Sequence, residues 1–370
     1  MKRILVFGMT ENPGGVESVI MNYYRNMDRS KIQFDFLCNS YNPIAFEDEL
    51  VKMGAAMIHF PARSQNFFSY KKKLNRFFKE HAKDYVAIWV NVCSLANIDY
   101  LILAKKYGIE KRIIHSHNSQ NMDNWLRGIL HKHFKKKLEQ YATDFWSCSE
   151  DASTWFYDAK LKNQVVIINN AIDVDAMAYN EKLRNDLRKK LQWENEYIIG
   201  NIGRLHFQKN QKFVINVFAG AEKKMPDARL ILVGQGEDEK ALKEQVKQLG
   251  LENKVLFAGK QYNIQAWLSA FDLFLFPSLF EGLSIAALEA QANGLPVIAA
   301  EKVIPMEVRI NSNFKFLNLN LPVSDWIEQI MIMRTNGHRE SYETVRKSFI
   351  DHGYEIKNEA AKLQRKLLGE

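Results

Sequence analysis

The chain has 370 residues, 46% of them hydrophobic and 25% charged, a length suited to two domains of ordinary size and a composition that excludes a disordered or fibrous protein. Its formal charge of +8 is unevenly spread: Lys71-Lys72-Lys73 and the run His131-Lys132-His133-Phe134-Lys135-Lys136-Lys137 both fall in the first half. Anionic partners are implied, but no signature of DNA or RNA recognition accompanies the charge, so nucleic acid is not expected as a partner.

No stretch approaches the ~18 uninterrupted apolar residues of a membrane span. The opening MKRILVFGMTENPGG runs from an apolar strand straight into a turn and lacks a signal-peptide core, so a cytoplasmic protein is expected. Cys38, Cys93 and Cys148 are too scattered for a disulfide framework or a zinc site, and buried thiols are the expectation.

Along the chain, apolar strand-like runs alternate with helical patterns, which predicts parallel sheets covered by helices. The first series of strands is Arg3–Phe7, Phe34–Leu37, Met57–Phe60, Ala87–Val90, Arg112–Ile114, Phe145–Ser147 and Val165–Ile168. Its first helix is marked by Val16, Val19, Ile20, Tyr23, Tyr24 and Met27 at three- and four-residue spacing. A second series restarts at Tyr197–Asn201 and continues through Ala228–Val233, Val255–Phe257, Phe271–Phe276 and Val297–Ala299. The fold class expected is α/β, as two doubly wound parallel-sheet domains over residues 1–170 and 171–352. A last helix over about 353–370 follows no strand and is expected to pack back on the first domain. Ligands of such sheets bind beyond the carboxyl ends of the strands, in a cleft here expected between the domains.

Chemistry-bearing residues gather at those strand ends. After the first strand, Asn12-Pro13-Gly14-Gly15 leads into a helix; glycines there admit a phosphate to the backbone, or serve only a tight turn. The spacing is neither that of a dinucleotide-binding loop nor of a Walker loop, which disfavours NAD and ATP. In the second series, Gly203-Arg204 ends one strand and Lys209 opens the next helix, a fork and a point charge able to clamp a diphosphate. Gly234 with Gly236, and then Gly259, end the next two strands.

The segment FPSLFEGLSIAALEAQANGLP places Glu281 beside Gly282 in a loop and Glu289 in an apolar helix. The N–H groups of Gly282, Leu283 and Ser284 would lie at a helix N-terminus, where unpaired donors and the positive dipole end favour a phosphate. Glu289 would be costly to bury unless a ligand supplied hydrogen bonds. In the first domain, IIHSHN puts His115 and His117 on one side of a strand end. Either is a substrate contact or a structural histidine, and no third ligand makes a metal site of them. Asp173-Val174-Asp175 has the look of a metal-holding pair, but lies in the interdomain connection and is set aside.

Together Gly14-Gly15, Arg204 with Lys209, Gly234 with Gly236, and Glu281 to Glu289 followed by Gly294-Leu295-Pro296 resemble family 4 of the retaining glycosyltransferases over nearly the whole chain. The HSHN strand end resembles bacterial members that build capsular or exopolysaccharide repeat units. The resemblance implies the GT-B fold, two Rossmann-like domains facing across a cleft, the first for the acceptor and the second for the nucleotide-sugar donor. It implies Arg204 and Lys209 on the donor pyrophosphate, Glu281 on the donor-sugar hydroxyls, and the backbone of Gly282 to Ser284 on the phosphate. Glu289 would accept from the two ribose hydroxyls, Gly15 would approach the diphosphate from the other domain, and His117 matches the family's first-domain histidine better than His115. Gly203 and Gly259 complete the donor-binding set.

The resemblance further implies retention of configuration by front-face departure and attack, with no metal and no cofactor, since fixed cations and a helix N-terminus meet the developing charge. The expected reaction moves a sugar from a nucleoside diphosphate, UDP-linked, to a lipid-linked oligosaccharide in cell-surface polysaccharide synthesis. The basic first half suits peripheral contact with an anionic membrane. Other readings are a non-catalytic sugar-nucleotide-binding subunit and a nucleotide-sugar epimerase of the same fold. The sequence departs from the family where Glu301-Lys302-Val303-Ile304-Pro305-Met306-Glu307 replaces a glycine-rich turn.

Overall fold

The computed structural model describes residues 1–118, 125–281, 284–303 and 305–370, with the backbone alone for Leu126. The chain forms two compact units, one of residues 1–171 with 356–370, the other of residues 172–355.

The first unit carries a seven-stranded sheet of β1 (Lys2–Phe7), β2 (Ile32–Cys38), β3 (Met57–His59), β4 (Ala87–Val92), β5 (Lys111–Ser116), β6 (Asp144–Ser147) and β7 (Val165–Ile167). Its order is β3-β2-β1-β4-β5-β6-β7, with every pairing parallel. Helices cover both faces, so the central strands read as continuous apolar runs; β2 is buried along its whole length. On one face Leu5, Val90 and Ile114 pack with Tyr70, Leu74 and Phe78 of helix Phe67–His81 and with Tyr100 and Leu101 of helix Asp99–Lys106. The last helix, Ile356–Leu368, lies against helix Gly15–Arg25, and near it Gln364 Oε1 accepts from the Asp28 N–H at 2.7 Å.

The second unit has a six-stranded sheet of β8 (Tyr197–Ile202), β9 (Ala228–Val233), β10 (Val255–Gly259), β11 (Leu273–Phe276), β12 (Val297–Ala300) and β13 (Phe314–Leu317). Its order is β10-β9-β8-β11-β12-β13, again all parallel. The sequence does not announce β13, because a four-residue edge strand with only Phe314 buried makes no long apolar run. The strand expected from Phe271 starts at Leu273; Phe271 instead closes helix Ile264–Ala270, its N–H donating to the Trp267 carbonyl at 3.1 Å.

In each sheet the chain winds outward in one direction, returns to the middle, and winds outward in the other. The reversal falls between β1 and β4 in the first unit and between β8 and β11 in the second. Within each sheet this reversal is where an open α/β fold binds its ligands, beyond the carboxyl ends of the two flanking strands.

Candidate functional site

In the second unit two loops flank the reversal point. The first leaves β8 as Gly203-Arg204, makes a 3₁₀ turn at Phe207–Lys209, and enters helix Gln211–Lys224 through Asn210, which sits at a left-handed φ of 56°. The second leaves β11 as Pro277 and Ser278 and reaches Glu281. Amide side chains lace the two together. Asn210 Nδ2 donates to the Pro277 carbonyl at 3.0 Å, Gln208 Nε2 to the Phe280 carbonyl at 2.9 Å, and the Leu279 N–H to the Gln208 carbonyl at 2.8 Å. Below them buried Asn201 donates to the Leu275 carbonyl, tying the strands themselves. Asn201, Gln208 and Asn210 were not singled out in the sequence; an amide ending an apolar strand was the available signal.

This lacing brings Lys209 Nζ to 2.6 Å from Glu281 Oε1, with side-chain exposures of 17% and 6%. The ammonium also stands 5.0 Å from the centre of the Phe276 ring, and its aliphatic stem runs over Gly203, where a Cβ would come within 3.1 Å of it. A lysine so packed has few rotamers left, so its charge is held in one place. Arg204 differs: its guanidinium is well exposed and forks onto Glu237 at 3.1 and 3.2 Å. The two cations expected to share one role thus sit in different settings, Lys209 fixed and Arg204 able to swing.

The glycines at the next strand ends serve the backbone. Gly234 has φ +137°, and a Cβ there would lie 2.0 Å from the Gly203 carbonyl oxygen; at Gly236 it would lie 2.2 Å from that of Leu205. Gly259, at φ +67°, accepts from the Gly234 N–H at 2.9 Å. The expected donor-binding glycines Gly234 and Gly259 therefore let three successive strand ends crowd together around Gly203.

Gly282 and Leu283 lie outside the described residues, as does Ile304 of the departing loop. Ser284 is the N-cap of helix Ile285–Ala292, its hydroxyl accepting from the Ala287 N–H at 3.4 Å. Glu289 stands on the fifth residue of that helix, little more than one turn in. It is only partly buried, and among the described residues its carboxylate has neither ion pair nor hydrogen bond. The protein crowding around it nevertheless pushes its pKa up to about 8.

In the first unit Gly14 and Gly15 open helix Gly15–Arg25 as expected, but the donor of Gly14 is already used. Glu17, buried at the third helical position, reaches back to accept from the Gly14 N–H at 3.0 Å and from the Thr10 N–H at 3.0 Å. Among the described residues nothing lies within 4 Å of a Cβ position at Gly15. Glu17 was missed in the sequence, although a glutamate three residues past a helix start is the mark of such a cap.

His115 and His117 do share one side of the β5 end, with ring centroids 4.2 Å apart. His115 is wholly buried between Trp89 and Trp146. His117 is partly accessible, and its Nε2 lies 2.9 Å from Asn91 Oδ1. Burial pushes both histidines down, His117 to about 3, so both rings are neutral at physiological pH.

Of the remaining expectations, Asp173 caps a short helix by accepting from the Ala176 N–H, and Asp175 accepts from the Tyr342 hydroxyl at 2.5 Å, both structural roles. Cys38 and Cys148 are buried, whereas Cys93 is exposed, contrary to expectation. The basic run at 131–137 belongs to helix Trp125–Lys135 and the turn after it. His131 is buried there and Lys135 donates to the Trp155 carbonyl at 2.6 Å, leaving Lys132, Lys136 and Lys137 in solvent. Among the described residues no helix is long and apolar enough to cross a membrane.

Comparison with known proteins places this architecture. Residues 184–327 match the family described as glycosyl transferases group 1. EpsF of Bacillus subtilis, named as a glycosyltransferase, is 28% identical over 368 residues, 98% of this chain and 95% of EpsF. An Escherichia coli enzyme named UDP-Gal:alpha-D-GlcNAc-diphosphoundecaprenol alpha-1,3-galactosyltransferase is 34% identical over 148 residues, 37% of this chain and 36% of that one. The crystal structure of Anabaena HepE with UDP-glucose superimposes with a TM-score of 0.78 over the full length of both chains at 19% identity. The fold is GT-B, and within it residues 184–327, most of the second unit, are similar to the group 1 glycosyl transferases.

Proposed function

We propose that this glycosyltransferase takes a sugar from a UDP-linked donor held by the second unit and passes it, with retention of configuration, to a lipid-linked oligosaccharide in cell-surface polysaccharide synthesis. The observation that carries the reading is the Lys209–Glu281 pair at the reversal point of the second sheet. A fixed ammonium beside a carboxylate suits a diphosphate joined to a sugar: Lys209 offsets the charge that develops on the leaving diphosphate, and Glu281 accepts from sugar hydroxyls. Arg204, exposed on Glu237, exchanges that partner for a phosphate, a fork for a fork. These residues supply the positive charge of the reaction, so no metal and no cofactor are assigned. Ser284, with Gly282 and Leu283, presents backbone to the phosphate, and Glu289 accepts from the ribose hydroxyls.

The UDP donor and the lipid-linked acceptor are supported by the names of relatives: HepE is described with UDP and UDP-glucose, and the Escherichia coli enzyme is named for UDP-Gal and a diphosphoundecaprenol acceptor. The first unit, with His117 and Gly15 at its strand ends, is assigned to the acceptor and its approach to the donor. A hydrolysis screen across UDP-, GDP- and ADP-sugars tests the reading. Turnover of one UDP-sugar, lost in Lys209→Ala, is the expected result; no binding of any nucleotide sugar would overturn it.

A further inference from the structure

The side chain of Asn91 determines which nitrogen of His117 carries the proton. Asn91 is the penultimate residue of β4, 2% exposed in an otherwise apolar strand. Its Nδ2 lies 3.3 Å from the Phe7 carbonyl oxygen at the end of β1. A carbonyl only accepts, so the amide nitrogen must face Phe7 and the amide oxygen must face His117. That oxygen is 2.9 Å from His117 Nε2, and an amide oxygen has no hydrogen to give. Nε2 therefore carries the proton, and Nδ1 is the bare nitrogen.

The surroundings hold this arrangement in place. The β1 end comes close because residue 8 is glycine: at its φ of +132° a Cβ would stand 2.5 Å from the Asn91 carbonyl oxygen and 2.6 Å from its Cβ. On the other side the His117 ring rests on that of His115, tilted by 40°. Among the described residues both nitrogens of His115 are sealed from solvent without a hydrogen-bond partner, so His115 serves as a neutral aromatic wall and would oppose a charge on its neighbour. Among the described residues, His117 Nδ1 has no partner, and the residue is partly open to solvent. Of the two contacts of this asparagine one is the backbone carbonyl that ends β1, and the other is a side chain directly after β5.

We infer that Asn91 is a positioning residue that locks His117 in its neutral Nε2–H tautomer and so presents Nδ1 as a hydrogen-bond acceptor for a sugar hydroxyl. The tautomer rests on geometry alone; the identity of the ligand rests on the functional reading above. Asn91 does not touch the substrate, and its influence runs wholly through the ring it orients.

The test is long-range 1H–15N correlation on the full chain labelled at histidine, with the His117 signals identified by their loss in His117→Gln. At pH 7 the wild-type ring is expected to show a protonated Nε2 and an unprotonated Nδ1. Asn91→Leu removes the acceptor and should mix the tautomers. Asn91→Asp keeps it and adds a charge, so the ring should become cationic at neutral pH. With a UDP-sugar and acceptor, Asn91→Leu should lower kcat/KM for transfer by roughly tenfold to a hundredfold, as for other side chains that orient a histidine through its second nitrogen, while leaving UDP affinity unchanged. A wild-type ring protonated on Nδ1 would overturn the inference, as would undiminished transfer by a correctly folded Asn91→Leu. If no nucleotide sugar is turned over at all, the functional reading fails, yet the wild-type and Asn91→Asp spectra still decide the tautomer.

Discussion

Lys209 and Glu281, 72 positions apart in the chain, meet at 2.6 Å where β8 and β11 diverge. The contact spans the point in the second sheet where the strand order reverses. It is made rigid by neutral amides, Asn201, Gln208 and Asn210, none of which carries charge. The charged pair is thus set up by the architecture before any ligand arrives, which is what electrostatic stabilisation of a leaving group requires.

Removing one partner of this pair should cost stability as well as activity. Lys209→Met leaves the Glu281 carboxylate, at 6% exposure, beside an apolar chain, an arrangement worth about 3 kcal/mol of destabilisation. Adding Glu281→Gln should restore most of the melting temperature, because a neutral amide has no charge to strand. Transfer should stay lower by a hundredfold or more in both variants. Calorimetric melting with steady-state rates checks this; a double variant no more stable than the single one would show the pair to be energetically uncoupled.

The two kinds of glycine should respond oppositely. Gly234→Ala drives a methyl group to 2.0 Å from the Gly203 carbonyl oxygen at a backbone angle that L-residues avoid, so the second unit should lose ~2 kcal/mol or more. Gly15→Ala meets nothing within 4 Å among the described residues and should melt like the wild type. If Gly15 admits a diphosphate to the backbone, its variant loses transfer at unchanged stability. Equal rates for Gly15→Ala and wild type would leave the residue as a helix start alone.

Most of the fold was legible because parallel strands covered on both faces must be apolar throughout, and twelve such runs alternate with helical patterns. The thirteenth strand was not, since its burial is confined to Phe314. The site was legible in part. Glu281, Lys209 and Arg204 could be read as charges gathered at strand ends, but the sequence could not say that Lys209 pairs with Glu281 and Arg204 with Glu237. Those pairings depend on which strands are neighbours, and neighbours in these sheets are far apart in sequence. The supporting residues, Asn91, Glu17 and Asn210, were silent for the same reason: an amide or a glutamate acquires its meaning from the backbone groups the topology brings to it.

Glu289 gives the protein a pH signature. Its pKa is raised by burial from 4.5 to about 8, so between those values the folded chain holds a proton that the unfolded chain has lost. Stability from this group is complete below pH 4.5 and declines as pH rises through 8. At 1.36 kcal/mol per unit the decline reaches at most ~5 kcal/mol, reduced because part of the residue stays solvated. Denaturant unfolding of wild type and Glu289→Gln over pH 5 to 9 reads it, and the variant should lack the slope. A ribose diol needs the carboxylate as acceptor, so UDP binding at pH 7 should release a proton. Calorimetry in two buffers of different ionisation heat would detect that release, and its persistence in Glu289→Gln would remove Glu289 from the ribose.

Contact with an anionic membrane is the prediction that the structure most changes. The basic run reads in sequence as one patch, yet His131 is buried and Lys135 is fastened to the Trp155 carbonyl, so reversing Lys135 would disturb packing and confuse the result. The groups in solvent are Lys132 on the helix and Lys136 and Lys137 in the turn after it, with Trp125 71% and Ile129 54% exposed on that helix. Apolar side chains among lysines suit a headgroup boundary: each lysine near the surface adds about 1 kcal/mol, and an exposed indole favours the interface. Lys132→Glu, Lys136→Glu and Lys137→Glu together should therefore weaken sedimentation with vesicles containing anionic lipid by an order of magnitude or more at low salt, with melting temperature unchanged. Trp125→Ala should weaken it further in a way that salt does not imitate, because the indole contributes by burial and not by charge. Binding that survives all four changes would show that this helix is not the contact, whatever the overall charge of the chain.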